Sequence, residues 1–216
     1  ATFILISVDA FRRDASIATG DTKSGTGGYS LLVDSLIPIV HDPTSREGQQ
    51  SLGLANLDLK AIEPFRVRPG DDASCLNLYE PRNPRILAPT DNFIAAGRFS
   101  FQASLASSEP ERLNPWLLLH REEPDGAVPV IADANSMTYV LHRKLEDDIV
   151  LPLGDRSIRL RLVAALDDSI FQGELLMSQA NFLKAFPEQE GYRFLLVEAP
   201  AGRIEMVRQS IEETLT

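Results

Sequence analysis

The sequence is poor in two features that would each point to a class of protein. It has a single cysteine, Cys75, which excludes an internal disulfide and therefore a disulfide-stapled scaffold. It also has no basic excess, because 21 Lys and Arg residues stand against 31 Asp and Glu residues, giving a formal net charge of -10. A nucleic-acid surface needs clustered Lys and Arg to displace counterions. We therefore predict no nucleic-acid partner.

Long apolar runs are scarce as well. The sequence has no run of the roughly 20 apolar residues that cross a bilayer, and no secretion signal. The most apolar segment is ATFILISVDAF, residues 1–11, followed at once by Arg12 and Arg13. Two interpretations of residues 1–12 stay open: a buried strand or helix of a core, or the outer end of a transmembrane helix. The start at Ala1 leads us to expect a piece of a longer protein.

Recognisable arrangements of catalytic groups are missing too. No G-x-S-x-G elbow is present, and the glycine-rich loop at residues 20–28 is not a P-loop, since Lys23 precedes its glycines. The three histidines, His41, His120 and His142, lack the spacing of zinc ligands. We predict no catalytic, cofactor-binding or metal-binding residue, and we do not expect an enzyme.

Acidic doublets occur at Asp71-Asp72, Asp147-Asp148 and Asp167-Asp168. Paired carboxylates can hold a cation or hydrolyse glycosides, so a hydrolase that uses Asp167-Asp168 with a histidine is one alternative. All three doublets fall at predicted turns, where Asp is common because it bonds the local backbone. We interpret them as solvated loop charge.

The C-terminal half predicts a regular series of elements. A strand at residues 128–131 leads into a helix at residues 133–145, capped by Asp133 or Asn135, and then into a hairpin with strands at residues 149–153 and 158–163. Further on, the pattern predicts a helix at 179–186 capped by Ser178, a strand at 192–197, and a final amphipathic helix with its apolar stripe at Ile204, Val207, Ile211 and Leu215.

The first half contains two regions with different sequence patterns. Residues 29–36 read as a strand, and the spacing of Thr44 and Glu47 predicts a capping box at the start of a short helix. Eight prolines then chop residues 62–125 into short strand-like pieces. We predict an α+β fold in which 1–61 and 126–216 form a mixed subdomain, and 62–125 is an inserted, mostly β subdomain.

Three stretches carry a resemblance to a known family: FRRD at 11–14, GTGGYSLLVDSLIPI at 25–39, and the run from Val128 to Glu198, which contains PVIADANSMTYVLHRKLEDDIVL. Together they resemble the extracytoplasmic domain of FtsX-like permeases, the MacB-like periplasmic core of type VII ABC transporters. Glu146 stands where glycine is common in the family's turn.

The resemblance implies a porter-like subdomain built from both ends of the chain, lying outside the cytoplasmic membrane of a bacterium between two transmembrane helices. It implies no reaction in this domain. A cytoplasmic ABC ATPase subunit would hydrolyse ATP, and the domain would pass the resulting motion to an extracytoplasmic protein partner or to a lipid or lipoprotein cargo.

A second function class stays open beside it. The chain is alternatively an extracytoplasmic module that binds a peptide, lipid or sugar in a cleft between its two parts. Trp116, Tyr139 and several phenylalanines would line that cleft.

Overall fold

The computed structural model describes residues 21–70 and 83–215. The chain divides into two compact units. Unit 1 takes the described residues up to Val67 and those from Glu188 onward, and unit 2 takes those within Arg68–Pro187. Both predictions for residues 1–12, the Asp71-Asp72 doublet and Cys75 lie outside the described residues.

In chain order the described residues form nine strands and five α-helices: β1 Leu31–Ile39, α1 Arg46–Ser51, β2 Ala61–Arg68, β3 Arg85–Pro89, α2 Asp91–Ala96, β4 Phe101–Ser104, α3 Glu109–Leu113, β5 Val128–Asp133, β6 Asp148–Leu153, β7 Arg156–Leu166, β8 Glu174–Leu176, α4 Gln179–Ala185, β9 Tyr192–Glu198 and α5 Ile204–Leu215. Short 3-10 helices lie at Pro115–His120 and Ala201–Arg203, and a π-helix lies at Ser136–Val140. The α+β class is confirmed.

Unit 1 is built around β9, which pairs antiparallel with β1 on one side and with β2 on the other. The predicted apolar stripe of α5 is confirmed: Val207 and Ile211 are fully buried, and Ile204 and Leu215 pack at the edge of the same aliphatic cluster. Because residues three and four apart share one helix face, this spacing lets a single helix cover the sheet.

Unit 2 holds a mixed sheet in the order β3, β8, β5, β7, β4, with β6 also paired to β7. β5 is parallel to β7 and antiparallel to β8. From Pro129 to Asp133 every residue of β5 is buried, so both faces of this strand are covered, as for a central strand. One face packs Val130 and Ala132 into the main cluster of the unit.

The predicted hairpin is confirmed. β6 and β7 pair antiparallel, with Leu153 opposite Arg156, so the loop is the two residues Gly154 and Asp155. Gly154 has a φ of 61°, a left-handed conformation that glycine adopts without steric cost. The cap of α4 is confirmed too, because the Ser178 side chain accepts a hydrogen bond from the Asn181 amide.

The predicted helix at 133–145 is wrong in length and type. Asp133 caps it as expected, accepting from the Asn135 and Ser136 amides. The helical segment then continues as a π-helix that ends at Val140. His142 follows with a φ of 49°. A left-handed residue cannot continue a right-handed helix, so Lys144 and Leu145 lie beyond its end.

The predicted capping box of Thr44 and Glu47 is not formed, and a simple N-cap lies one residue later. Ser45 is the N-cap of α1 and accepts from the Gly48 amide at 3.0 Å. The Thr44 hydroxyl instead donates to the Asp42 carboxylate. Both residues can cap, and the turn that Asp42 forms with Thr44 selects Ser45.

The middle of the chain contains helices as well as strands. α2 begins at the cap Thr90, and α3 begins at a capping box formed by Ser108 and Glu111. β5 to β8 belong to the same unit as most of this middle segment, because β3 pairs with β8 and β4 pairs with β7. The subdomain boundaries drawn at residues 62 and 125 stay a prediction.

Within the described ranges, no helix combines the length and apolarity that a bilayer crossing requires.

Candidate functional site

The three histidines have separate surroundings. His120 Nε2 lies 3.0 Å from Asp91 Oδ1, and His41 Nδ1 lies 3.9 Å from Glu47 Oε1. His142 is exposed in the left-handed turn after the π-helix. It therefore lies beyond the end of the helix, whereas the sequence predicted it within the last turn. In residues 21–70 and 83–215, no group of three or more His, Cys, Asp or Glu side chains is arranged to hold a metal ion.

Two of the acidic doublets lie in the described residues, and they differ. Asp167 and Asp168 are exposed, as expected of solvated loop charge. In the other pair, the Asp147 carboxylate accepts from the Lys144 amide at 3.0 Å, whereas Asp148 belongs to β6 and is paired with arginines. The interpretation as solvated charge is therefore wrong for Asp148.

Those arginines belong to a network on the polar face of β7, which we call the arginine network: Glu123, Asp125, Asp148, Arg159 and Arg161. The Arg161 guanidinium contacts all three carboxylates, with Nε at 2.8 Å from Asp148, Nη2 at 2.7 Å from Asp125 and Nη1 at 3.2 Å from Glu123. Arg159 contacts Asp125 and Asp148. The network joins the loop before β5 to the β6–β7 hairpin.

The electrostatics of the arginine network favour its charged form. Hydrogen bonds to Asp148 and Asp125 raise the pKa of Arg161 further above its ordinary range. The hydrogen bond from Arg161, followed by one from the Ala127 amide, lowers the pKa of Asp125 to about 2. Arg161 and Asp125 therefore both stay ionised at neutral pH.

A sequence signal for this network existed. The alternation of β7 places Arg159 and Arg161 on its polar face, and a two-residue loop at Gly154-Asp155 sets Asp148 directly opposite Arg161. Opposite charges in cross-strand pairs attract. Glu123 and Asp125 come from a loop whose path the local sequence does not encode.

A second polar cluster is buried at the end of β5, and we call it the Asp133 cluster: Asp133, Ser136 and Ser169. Asp133 is fully buried and accepts from the Ser169 amide at 2.6 Å and its hydroxyl at 2.9 Å, besides the two amides of its own turn. Ser136 accepts from the Gly173 amide at 2.7 Å.

The Asp133 cluster is structural. Donors from the protein already occupy both oxygens of the carboxylate, so it is poorly placed to take a proton from a substrate. It ties the loop at residues 167–173 to the end of β5.

Trp116 and Tyr139, which the sequence suggested as cleft-lining residues, lie in different surroundings. Trp116 is fully buried, whereas Tyr139 is 74% exposed. The indole Nε1 donates to the Arg98 carbonyl at 2.6 Å, and the ring packs in an aromatic cluster with Phe93, Phe99, Phe101 and Phe171. Trp116 is therefore a core residue. The rings that bury it come from other segments of the chain, so the sequence around Trp116 does not predict its burial.

The remaining candidate is a surface feature of unit 1. Leu36, Ile37 and Val40, which we call the β1 patch, are 70%, 51% and 79% exposed. They lie close together in sequence, at and just beyond the end of β1, which is the outermost of the described strands of its sheet. Single exposed aliphatic residues are common, but a group of three is a candidate contact surface.

No protein-family model and no curated protein matches the chain. Among solved structures, the chain is similar to the periplasmic region of MacB from Actinobacillus actinomycetemcomitans, with 10% sequence identity and a TM-score of 0.41 over 77% of this chain and 71% of that one. It is also similar to the extracellular domain of the ABC-type transporter YknZ from Gram-positive bacteria, with 11% identity and a TM-score of 0.40 over 85% of this chain and 92% of that one. These values assign this chain neither an activity nor a partner.

Proposed function

We propose that this chain is the extracytoplasmic domain of an FtsX-like ABC transporter permease of the MacB type. It carries out no reaction and transmits ATP-driven motion to a partner or cargo outside the membrane. The resemblance in residues 11–14, 25–39 and 128–198 suggests the family. One observation of the fold carries the proposal: β1 from the first part of the chain and β9 and α5 from its last part build one unit.

This interleaving is what a domain inserted between two membrane helices needs. A Ser30 hydroxyl donates to the Val197 carbonyl at 3.2 Å and accepts from the Ala199 amide at 2.9 Å. Two segments far apart in sequence are thus joined where the chain enters β1 and leaves β9. A displacement applied through either end would be passed to unit 1 as a whole, because an interdigitated core is stiff.

Unit 2 has internal cross-links that would limit its deformation. The arginine network joins three segments of the unit, and the Asp133 cluster joins the end of β5 to the loop before β8. Exposed single ion pairs contribute little, whereas networks and buried charged hydrogen bonds contribute more. We propose that these links keep unit 2 rigid while it is moved.

The partners follow from the same proposal. A cytoplasmic ABC ATPase subunit would supply the energy, and residues 62–125 would carry the surface that meets an extracytoplasmic protein or a lipid or lipoprotein cargo. Loops on a fixed support suit that role, since they tolerate variation without loss of the core.

The experiment uses the full-length gene product. Val150 is 59% exposed on β6, and Val150→Cys in a Cys75→Ser background gives one reactive thiol in unit 2. We expect a membrane-impermeant maleimide to label it in spheroplasts without detergent. A cysteine in the ATPase subunit is the control and should react only after lysis. Labelling of position 150 only after lysis would overturn the proposal, as would a gene without apolar spans on both sides of this chain.

A further inference from the structure

We propose that the β1 patch is a lipid-contact surface, whose three aliphatic side chains enter the boundary between headgroups and acyl chains of the bilayer. This inference rests on the proposed function, which places a bilayer next to unit 1. It adds a direct contact between the folded domain and lipid.

The exposure of the β1 patch is built into the strand. The pairing of β1 with β9 jumps from Asp34 opposite Phe194 to Ile39 opposite Tyr192, so β1 bulges in between. The buried Ser35 hydroxyl closes the bulge, donating to the Ile37 carbonyl at 2.8 Å and accepting from the Ile37 amide at 3.2 Å. A bulge re-aims side chains, and this one directs Leu36 and Ile37 to solvent.

The turn beside the patch is held firmly. A Cβ at Gly191 would lie 2.9 Å from both the Ile39 carbonyl oxygen and Pro38 Cβ, so the turn before β9 packs closely on the end of β1. Arg66 Nη1 lies 3.3 Å from the Gln189 carbonyl and 3.4 Å from the Gly191 carbonyl. The patch is therefore presented on a fixed base.

The direction of α5 places the β1 patch at the membrane side. α5 begins at Ile204, shortly after the end of β9, and buries Val207 and Ile211 in the cluster that includes β1 and β9. A helix that starts at one end of a strand and packs on the same sheet runs back toward the other end. That end is the start of β9, beside the patch. In the proposed permease, α5 leads into the next transmembrane helix.

The chemistry of the patch favours lipid over protein. Protein contacts that dominate binding are enriched in Trp, Tyr and Arg, whereas this patch is Leu, Ile and Val. A stable protein interface takes about 20–30 residues from each side, and three aliphatic residues fall far short of it. Asp34 and Asp42 flank the patch in sequence, so we expect neutral lipid to suffice.

The test tethers the 216-residue chain by a histidine tag after Thr216 to phosphatidylcholine vesicles that contain nickel-chelating lipid and lipid spin-labelled high on its acyl chain. A bimane label is placed at Ile37→Cys in a Cys75→Ser background. Met206→Cys is the matched control, because Met206 is 57% exposed in the same unit but lies at the start of α5. We expect at least fivefold stronger quenching at position 37 than at 206.

A further variant shows whether the patch itself is responsible. Leu36→Ser with Val40→Ser should reduce quenching at position 37 at least threefold, with an unchanged circular dichroism spectrum showing that the fold persists. Equal quenching at positions 37 and 206, or none at either, would overturn the inference. So would a dimer in sedimentation equilibrium that these two substitutions dissociate, since the patch would then bind a second copy. None of these results alters the labelling at position 150, so the two proposals fail separately.

Discussion

The contacts inside unit 1 differ in kind from the contacts inside unit 2. The main cluster of unit 1 is almost wholly aliphatic, and the ion pairs on α5 that join Arg208 to Glu205 and Glu212 lie within one helix. Unit 2 adds an aromatic cluster around Trp116, and its charged network joins separate segments. The difference suggests that unit 2 is cross-linked against deformation, while unit 1 depends on burying the stripe of α5.

The largest effect should come from the aromatic cluster of unit 2. Trp116→Ala removes a fully buried ring and should lower the free energy of unfolding by about 4 kcal/mol. Trp116→Phe keeps an aromatic ring but loses the hydrogen bond to Arg98, and should cost less than half as much. Urea titration followed by circular dichroism measures both. Equal costs for the two variants would mean that aromatic packing is not what holds this cluster.

In unit 1, the largest loss of stability should come from substitutions in the apolar stripe of α5. Ile211→Ala should cost about 3 kcal/mol, because it leaves a cavity in the aliphatic cluster. Met206→Ala, at an exposed position of the same helix, is the control and should change the midpoint little. If both substitutions cost the same, α5 would not bury the face that its stripe predicts.

A smaller, pH-dependent effect should follow from the arginine network. The folded pKa of Asp125 is about 2, below its ordinary value of 3.8, so the stabilisation from this carboxylate is present above about pH 4 and is lost as the pH falls toward 2. Arg161→Met should lower the melting temperature at pH 7 and flatten its fall between pH 4 and 2.

A second carboxylate of the same protein serves as the reference for this variant. Glu111, whose pKa is also lowered to about 2, mainly by the Ser108 and Ser107 amides, is unchanged in Arg161→Met and provides a common background. An unaltered slope between pH 4 and 2 would show that Arg161 does not stabilise the ionised Asp125.

The smallest effect should be a gain. Glu146 has a φ of 74°, in the left-handed region that is unfavourable for a residue with a Cβ. Glu146→Gly should stabilise the protein by about 0.5 kcal/mol, because the relieved strain slightly exceeds the added freedom of the unfolded chain. Glu188→Gly, at a position without positive φ, should instead destabilise by a similar amount. Thermal melts of both resolve the difference, and a loss at position 146 would contradict the account.

Sequence reasoning succeeded where contacts are local and periodic. The β6–β7 hairpin, the Ser178 cap and the α5 stripe each depend on residues that lie within one short segment of the chain. The position of Glu146 fits as well, since the resemblance marked it as a glycine position and the backbone there is left-handed.

Sequence reasoning failed where the structure depends on contacts between segments that are far apart in the chain. Nothing near Trp116 in sequence shows that Phe171 packs on it, and the loop that brings Asp125 to Arg161 is set by the whole unit. The π-helix was missed because its apolar residues fit ordinary helical spacing equally well. The Ser108–Glu111 capping box was readable in the sequence but was hidden by the proline-rich texture around it.

The most direct measurement of the central claim is the distance between spin labels in the working transporter. Val150→Cys in a Cys75→Ser background of the proposed full-length permease, reconstituted in bilayers with the proposed ATPase, places one label on unit 2 of each copy when two copies assemble. The account predicts that the distance distribution between the two labels shifts when the transporter is trapped with ATP and vanadate. An identical distribution in both states, while ATP is being hydrolysed, would contradict it.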